Sequence, residues 1–518
     1  MTGVLQRRAR SFSVVAILVA AAVALTGCLS AAIPAPRASK APDTSGVSDE
    51  LLPFYSQDLD WEYCQGSEAG LYDCTTVTAP LDWEDPGAGE IELALVRRLS
   101  DARSPIGSLL INPGGPGASG FDLVAESASY AVTDPLAEQF DVIGFDPRGV
   151  GRSSAVTCLD AAEMDAYLFD IPPGERGSDE WDDDLIARND RFAEACEAGS
   201  GGILPHITTV NAARDLDLLR AVLGDTQLNY IGYSYGTFLG AMFADLYPDR
   251  AGRLVLDGAI DPAVPGVQVG TTQALGFESA LRAFAEDCLL YSDCPFRGTV
   301  DDAMADLSTM LETVDAQPLQ SGDGRMLGAD SLMTAIVAAL YSEDSWSYLS
   351  AALTAVLEGD ASVAFELVDF YYAREPGGGY GDNSTEAFTA YNCMDYPEED
   401  DPAAEAAAEQ LIEAKAPTVA PYWYGVDVCA SWPYPPSGTR GELTADGADP
   451  IVVLGTTNDP ATPYEWSVSL AEQLTSGVLV TREGEGHTGF NKGNDCVDEA
   501  IEDYLIDGVV PEDGLTCR

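Results

Sequence analysis

The sequence predicts an α/β protein: a mostly parallel sheet with helices on both faces, interrupted by a helical insertion before the last strands. Three observations carry this. Short apolar or alternating runs bounded by Gly, Pro, Asn or Asp recur along the chain, and helical patterns lie between several of them. Between Asp261 and Pro450 the strand signals give way to helix-like stretches. A chain of 518 residues can bury a large interior, in one enlarged domain or two to three ordinary ones. Its 46% hydrophobic and 21% charged residues exclude wholesale disorder, collagen-like repeats and a polytopic membrane protein. With 26 Lys+Arg against 85 Asp+Glu, the net charge of −59 repels phosphate backbones, so nucleic acid is not a partner.

At the N-terminus, Arg7, Arg8 and Arg10 precede an uncharged run from Ser11 to Leu25, the layout of a secretory signal and short for a membrane span. The run ends in Leu25-Thr26-Gly27-Cys28, the pattern of a bacterial lipobox, in which the cysteine becomes the first mature residue and carries lipid. Residues 1–27 are read as the signal peptide and 28–55 as a lipidated N-terminus and tether, rich in Ala, Pro and Ser. The expectation is an exported chain, lipid-anchored at the outer face of the cell membrane or secreted, with the lipid as its only membrane attachment. Ten of the 11 cysteines then remain for an oxidising compartment, where disulfides are the natural reading. Nearest-neighbour pairing is expected: Cys64 with Cys74, Cys158 with Cys196, Cys288 with Cys294, Cys393 with Cys429, and Cys496 with Cys517. Metal binding is disfavoured, because no CxxC occurs and the chain holds two histidines, His206 and His487.

The expected strands are Ile91 to Val96, Ser108 to Ile111, Phe140 to Phe145, Leu228 to Ile231, Arg253 to Leu256, Ile451 to Leu454 and Gly477 to Thr481. Ala212 to Leu223 and Thr237 to Leu246 are amphipathic helices between them. The insertion offers helices at Ala274 to Leu290, Val300 to Val314, Ser331 to Tyr341, Ser347 to Glu358 and Ala403 to Lys415, which reads as a lid over residues 266–430. The core is then split into 56–265 and 431–518. Ser178 to Asp184 reads as a solvated acidic loop, and the Gly-rich Pro376 to Gly381 and the aromatic stretches Pro421 to Gly425 and Trp432 to Pro436 as surface loops.

Gly232-Tyr233-Ser234-Tyr235-Gly236 lies between an apolar strand and a helix, the context that makes GxSxG a nucleophile elbow. A serine hydroxyl needs an imidazole base. His206 has no motif around it, whereas His487 lies in a loop after the last long strand. In the order Ser, acid, His, Asp459 of Asn458-Asp459-Pro460 follows the preceding strand and would stabilise the imidazolium of His487; Thr462 and Pro463 would shape that loop. A tetrahedral oxyanion needs two N–H donors. Tyr235 follows the nucleophile, and Gly115 lies in Asn112-Pro113-Gly114-Gly115-Pro116-Gly117 after an early strand, where Pro116 has no N–H to give. Gly115 to Gly120 also matches the dinucleotide fingerprint GxGxxG, with Asp141 or Asp146 as ribose ligand. That reading is set aside because no helix clearly opens at Ala118 and an exported lipoprotein has little access to NAD, so no cofactor is expected.

NPGGPG, FDPRGVGRS from Phe145 to Ser153, GYSYGT around Ser234, LDGAIDP from Leu256 to Pro262 and the Asp459 and His487 loops together resemble the secreted tripeptidyl aminopeptidases of actinobacteria, within the prolyl-aminopeptidase-like serine peptidases. The resemblance runs from Thr78-Ala79-Pro80-Leu81-Asp82-Trp83 to the C-terminal segment. It implies an α/β-hydrolase core with a helical lid, release of short peptides from free N-termini of peptides or proteins, the triad Ser234, Asp459 and His487, and oxyanion donors Gly115 and Tyr235. Asn112-Pro113 departs from the His that relatives usually show before GGPG. An aminopeptidase must also hold an ammonium, and a lid carboxylate is the economical solution. Tyr391-Asn392-Cys393-Met394-Asp395 resembles a recurring lid segment of the family, which makes Asp395 the first candidate, with Glu278 and Glu286 on the first lid helix as others. The alternatives are a lipase or carboxylesterase using the same triad, and a catalytically silent peptide-binding lipoprotein.

Overall fold

In the computed structural model, which describes residues 40–64, 71–397, 401–423 and 425–518, the strand runs join in one ten-stranded sheet. The signal segment and Cys28 lie outside the described residues. The strands are β1 (Glu62–Tyr63), β2 (Tyr72–Pro80), β3 (Glu90–Arg98), β4 (Ser108–Asn112), β5 (Asp141–Phe145), β6 (Leu228–Tyr233), β7 (Ala251–Asp257), β8 (Ile451–Asn458), β9 (Gly477–Glu485) and β10 (Leu515–Cys517). Their order across the sheet is β1-β2-β3-β5-β4-β6-β7-β8-β9-β10. Pairing is antiparallel as far as β3 with β5 and parallel from there to β10. This is the α/β-hydrolase architecture.

The two-residue period of the strands sorts side chains between two cores. Leu110, Ile143, Tyr230, Leu254 and Val453 face one, with Leu216 and Leu219 of helix Thr209–Val222 and Phe238 of helix Tyr235–Leu246. Leu109, Ile111, Val142, Ile231, Val255 and Val452 face the other, with Val124 of helix Gly120–Ala131 and Ile501 of helix Asp495–Asp507. Because both faces are covered, the central strands read as continuous apolar runs, which is why they are legible. β2 was not among the expected strands: its Thr-rich stretch lies near the sheet edge and is held by a nine-residue register with β3. β1 and β10, two and three residues long, are too short to leave a pattern.

The acidic stretch from Ser178 to Asp184 is not a loop. It opens a 22-residue helix, Asp179–Ser200. Ser178 caps it by accepting the Trp181 N–H, and Asp179, Glu180 and Asp182 sit in the first turn, where the helix dipole favours negative charge. Trp181, Phe192 and Cys196 bury its inner face.

The insertion builds its own core from Phe277, Leu281 and Phe284 on helix Gly266–Cys288 with Leu307, Leu332, Ile336, Leu353 and Phe365. Strands do not vanish from it: Leu319–Gln320 and Met326–Leu327 pair as a small ribbon, and Arg374 and Tyr380 bridge across the Gly-rich loop. Helix Ser384–Asp395 is different from its neighbours. Its Ala387, Ala390, Tyr391 and Met394 pack into the sheet core rather than the lid core, and the Tyr391 hydroxyl donates to the Arg148 carbonyl.

The pairs Cys64–Cys74, Cys158–Cys196, Cys288–Cys294, Cys393–Cys429 and Cys496–Cys517 are bonded. Among the described residues no helix is long and apolar enough to cross a membrane. Deep in the sheet core, Arg148 of the FDPRGVGRS run grips Asp215 through Nε at 2.7 Å and Nη2 at 2.6 Å, and the Trp83 indole donates to the same carboxylate. Arg148→Ala should leave Asp215 as an uncompensated buried acid. We expect a loss of about 3–5 kcal/mol in urea unfolding.

Candidate active site

Strand β6 delivers Ser234 into a backbone conformation that non-glycine residues rarely occupy, φ 55° and ψ −123°. The flanking glycines make that turn possible. A Cβ on Gly232 would lie 2.2 Å from the Gly236 carbonyl oxygen, and one on Gly236 would lie 2.8 Å from both oxygens of Asn112. The Ser234 N–H donates to the Asp257 carbonyl at 2.9 Å, which pins the elbow to the end of β7. Tyr235 opens the following helix, so its N–H is one of the first-turn donors that have no acceptor within the helix.

The turn after β4 closes on this elbow. Gly114 has φ +96°, and a Cβ there would lie 2.5 Å from the Tyr233 oxygen and 2.8 Å from the Ser234 Cβ. Gly115, at φ +102°, is likewise open to glycine alone. Asn112 supports the turn by accepting the Gly114 N–H on Oδ1 at 3.0 Å. A helix does open behind the loop, at Gly120 with Ser119 as its cap, so one ground for dismissing a dinucleotide site fails. A better one replaces it: Asp146, a proposed ribose ligand, is fully buried and already accepts from Ser119 Oγ, the Phe121 N–H and the Arg152 N–H.

Parallel pairing carries β8 and β9 beyond their apolar runs, to Asn458 and Glu485. Asp459 follows, with both carboxylate oxygens 2.9 Å from His487 Nδ1. The carboxylate also accepts from the Ala461, Thr462 and Thr488 N–H groups and from Thr462 Oγ1. Its geometry is therefore fixed before any imidazolium forms. Thr462 Oγ1 lies 3.2 Å from Nδ1 as well. Among the described residues no hydrogen bond joins Ser234 to His487, a link that commonly tightens once substrate is present.

Two residues that sequence reasoning did not single out hold the histidine loop. The Asp257 carboxylate, fully buried, accepts the Gly489 N–H at 2.8 Å and the Phe490 N–H at 2.9 Å. Tyr341 of the lid accepts the His487 N–H on its carbonyl at 2.9 Å and sets its ring edge-on to the imidazole, 5.1 Å between centroids. Asp257 stands in the quoted LDGAIDP run, so its motif was visible although its role was not. His206, half-buried on the turn Leu204–His206, gives its carbonyl to Arg148 and Asn211 and has no part in this cluster.

The three carboxylates considered for a substrate amine are placed differently. Asp395 is 2% exposed and accepts from the Thr209 N–H and from Thr209 Oγ1 at 2.6 Å; burial pushes its carboxyl up to about 6. Glu278 is buried and accepts the N–H and hydroxyl of Thr418, each at 3.1 Å. Glu286 is exposed on the same helix. A fourth acid, Glu386, lies on the first turn of helix Ser384–Asp395, whose backbone comes within 2.8 Å of where a Gly117 Cβ would be. Burial pushes its carboxyl up to about 7, and among the described residues no cation pairs with it. Among the described residues no group of three or more His, Cys, Asp and Glu could hold a metal ion.

Residues 416–517, which carry both the Asp459 and the His487 loops, match the family model described as TAP-like protein. Serine protease Hip1 of Mycobacterium tuberculosis is 34% identical over 98% of both chains. Carboxylesterase B of the same organism is 35% identical over 92% of this chain and 94% of its own. Tripeptidyl aminopeptidase of Streptomyces coelicolor is 30% identical over 89% of this chain and 86% of its own. Asp459→Asn should leave the fold unchanged, because an amide oxygen in the Oδ1 position keeps the Ala461 and Thr462 N–H groups and the Thr462 hydroxyl can turn to accept from the amide nitrogen. It should lower kcat by roughly 10⁴-fold by removing the negative partner of the imidazolium, measured on an activated ester.

Proposed function

The chain belongs to the TAP-like family of α/β-hydrolase-fold serine hydrolases, and on that premise we propose a cell-surface serine exopeptidase that releases tripeptides from free N-termini. The observation that carries the chemistry is the Asp459–His487 pair standing beside a strained serine elbow. Ser234 Oγ attacks the scissile carbonyl carbon while His487 takes its proton. Gly115 and Tyr235 N–H groups stabilise the oxyanion, and Asp459 stabilises the imidazolium. Collapse passes that proton to the leaving amine, the new N-terminus of the shortened peptide, and leaves a tripeptidyl ester on Ser234. Water, activated by His487, then hydrolyses the ester.

The limit on length is supported by the lid, which meets the histidine loop directly: a Cβ on Gly486 would lie 3.1 Å from the Tyr341 carbonyl oxygen. We assign the substrate ammonium to Glu386. Asp395 and Glu278 already satisfy threonine donors, whereas Glu386 is desolvated beside the oxyanion loop without a cation. A substrate amine would supply the missing charge. The anchor at Cys28 and the export signal belong to the same proposal and are supported by the N-terminal pattern alone. Carboxylesterase activity is the second reading, favoured by the 35% identity to a relative of that name.

A free Ala-Ala-Pro or Ala-Ala-Ala reporter, its acetylated twin and a single-residue reporter separate the two. The exopeptidase should turn over the free tripeptide fastest, and Ser234→Ala should abolish both turnover and fluorophosphonate labelling. Equal rates on free and acetylated peptides, with faster turnover of simple esters, would establish the carboxylesterase reading instead. Glu386→Gln should raise KM for the free peptide by about tenfold or more and leave the acetylated one unchanged.

A further inference from the structure

Asp257 occupies the end of β7, the strand between the one that delivers the nucleophile and the one that delivers the acid. It touches both sides of the site. Its carbonyl accepts the Ser234 N–H at 2.9 Å, and its carboxylate accepts the Gly489 N–H through both oxygens, at 2.8 and 3.0 Å, and the Phe490 N–H at 2.9 Å. Those two amides begin two residues after His487. A Cβ on the next residue, Gly258, would lie 3.2 Å from the His487 Cε1 and 3.0 Å from Thr462 Oγ1, so this segment lies directly against the imidazole. A neutral acceptor could make such a clamp at a lower desolvation cost. The nature of the group matters here: a carboxylate with zero exposure is an expensive way to hold two amides, because desolvation penalises its charged form.

We propose that Asp257 is a positioning residue with an electrostatic duty, a second buried carboxylate that fixes the histidine loop and stabilises the imidazolium formed at His487. It works through space and through Gly489 and Phe490, while Asp459 keeps the direct hydrogen bond. The groups that face it are His487 and Asp459 from the two loops and Tyr233 from β6. His487 favours its anion; Asp459 disfavours it. Burial outweighs the attractive partners and pushes the Asp257 carboxyl up to about 6. Asp257 is therefore anionic at neutral pH and becomes protonated as pH falls through about 6. Protonation replaces one acceptor oxygen by a donor beside the two amides and removes the charge that favours the imidazolium.

The inference rests on Ser234 and His487 acting as nucleophile and base, and it is independent of which peptide or ester is cleaved. Its test is the pH dependence of fluorophosphonate labelling. In the unaltered enzyme the rate should fall through a step of roughly tenfold to a hundredfold as pH drops through about 6, where Asp257 takes up its proton. Asp257→Asn, close to isosteric and still able to accept from an amide, should remove that step and slow labelling by roughly tenfold to a hundredfold at neutral pH, to the rate of the form protonated at Asp257. Absence of the step in the unaltered enzyme would overturn the proposal even if the variant failed to fold. A slower variant that keeps the step would also overturn it, by reducing Asp257 to a clamp. Absence of any labelling in the unaltered chain would instead refute the nucleophile assignment, so the two failures are distinguishable.

Discussion

The reactive edge of this molecule depends on the parallel register of four adjacent strands. β6, β7, β8 and β9 run in the same direction side by side, so the residues that succeed them in the chain are delivered to one edge of the sheet. Ser234 comes immediately after β6, Asp459 after β8 and the His487 loop after β9, with Asp257 ending β7. No long-range fitting of side chains is needed to bring the serine, the acid and the histidine to the same place. The backbone ladder does it, and local turns then aim each group: a positive φ at Ser234, a turn rich in N–H donors at Asp459, and a loop tied by its own amides at His487.

Much of this was legible in the sequence because central parallel strands are buried on both faces and are therefore written in apolar residues. The elbow was legible for a steric reason, since Gly232 and Gly236 stand where any side chain would strike backbone. Where the expectation ended too soon, at Leu454 and Thr481, the chain turns polar while the ladder continues, and polarity alone cannot tell a strand end from a strand that has reached the solvent-facing edge. The acidic run at Ser178 misled for a related reason. Charge density reads as solvation, yet three acids in a first helical turn are stabilised by the dipole, and Trp181 supplies the buried contact that settles the matter. The amine-site candidates show a harder limit. Asp395 and Glu278 were chosen as lid carboxylates, and whether a carboxylate is free or already satisfied depends on Thr209 and Thr418, about 190 and 140 residues away in the chain.

Acids inside this protein fall into two physical kinds. Asp215 and Asp217 are paired with arginines at hydrogen-bond distance, and these charge-assisted pairs tie together the elements of the sheet core. Asp257, Asp395 and Glu386 have no such arginine at hydrogen-bond distance among the described residues, and burial raises the pKa of each. With 85 acids against 26 bases the chain has no shortage of carboxylates for its surface. The ones that are desolvated without a matched base are thus the ones whose presence asks for an explanation in chemistry or binding rather than in solubility.

The bridges between cysteines have a consequence for how the molecule is assembled. Every one joins a cysteine to the next in the chain, with separations of 10, 38, 6, 36 and 21 residues, so no loop encloses another. In any process that presents the chain from its N-terminus, each pair can close before the next cysteine arrives. Among the ten bonded cysteines a single partner is on offer at that moment, and order of arrival takes the place of sorting among the 945 pairings that ten thiols would otherwise allow, roughly the count reached by extending the series for four, six and eight.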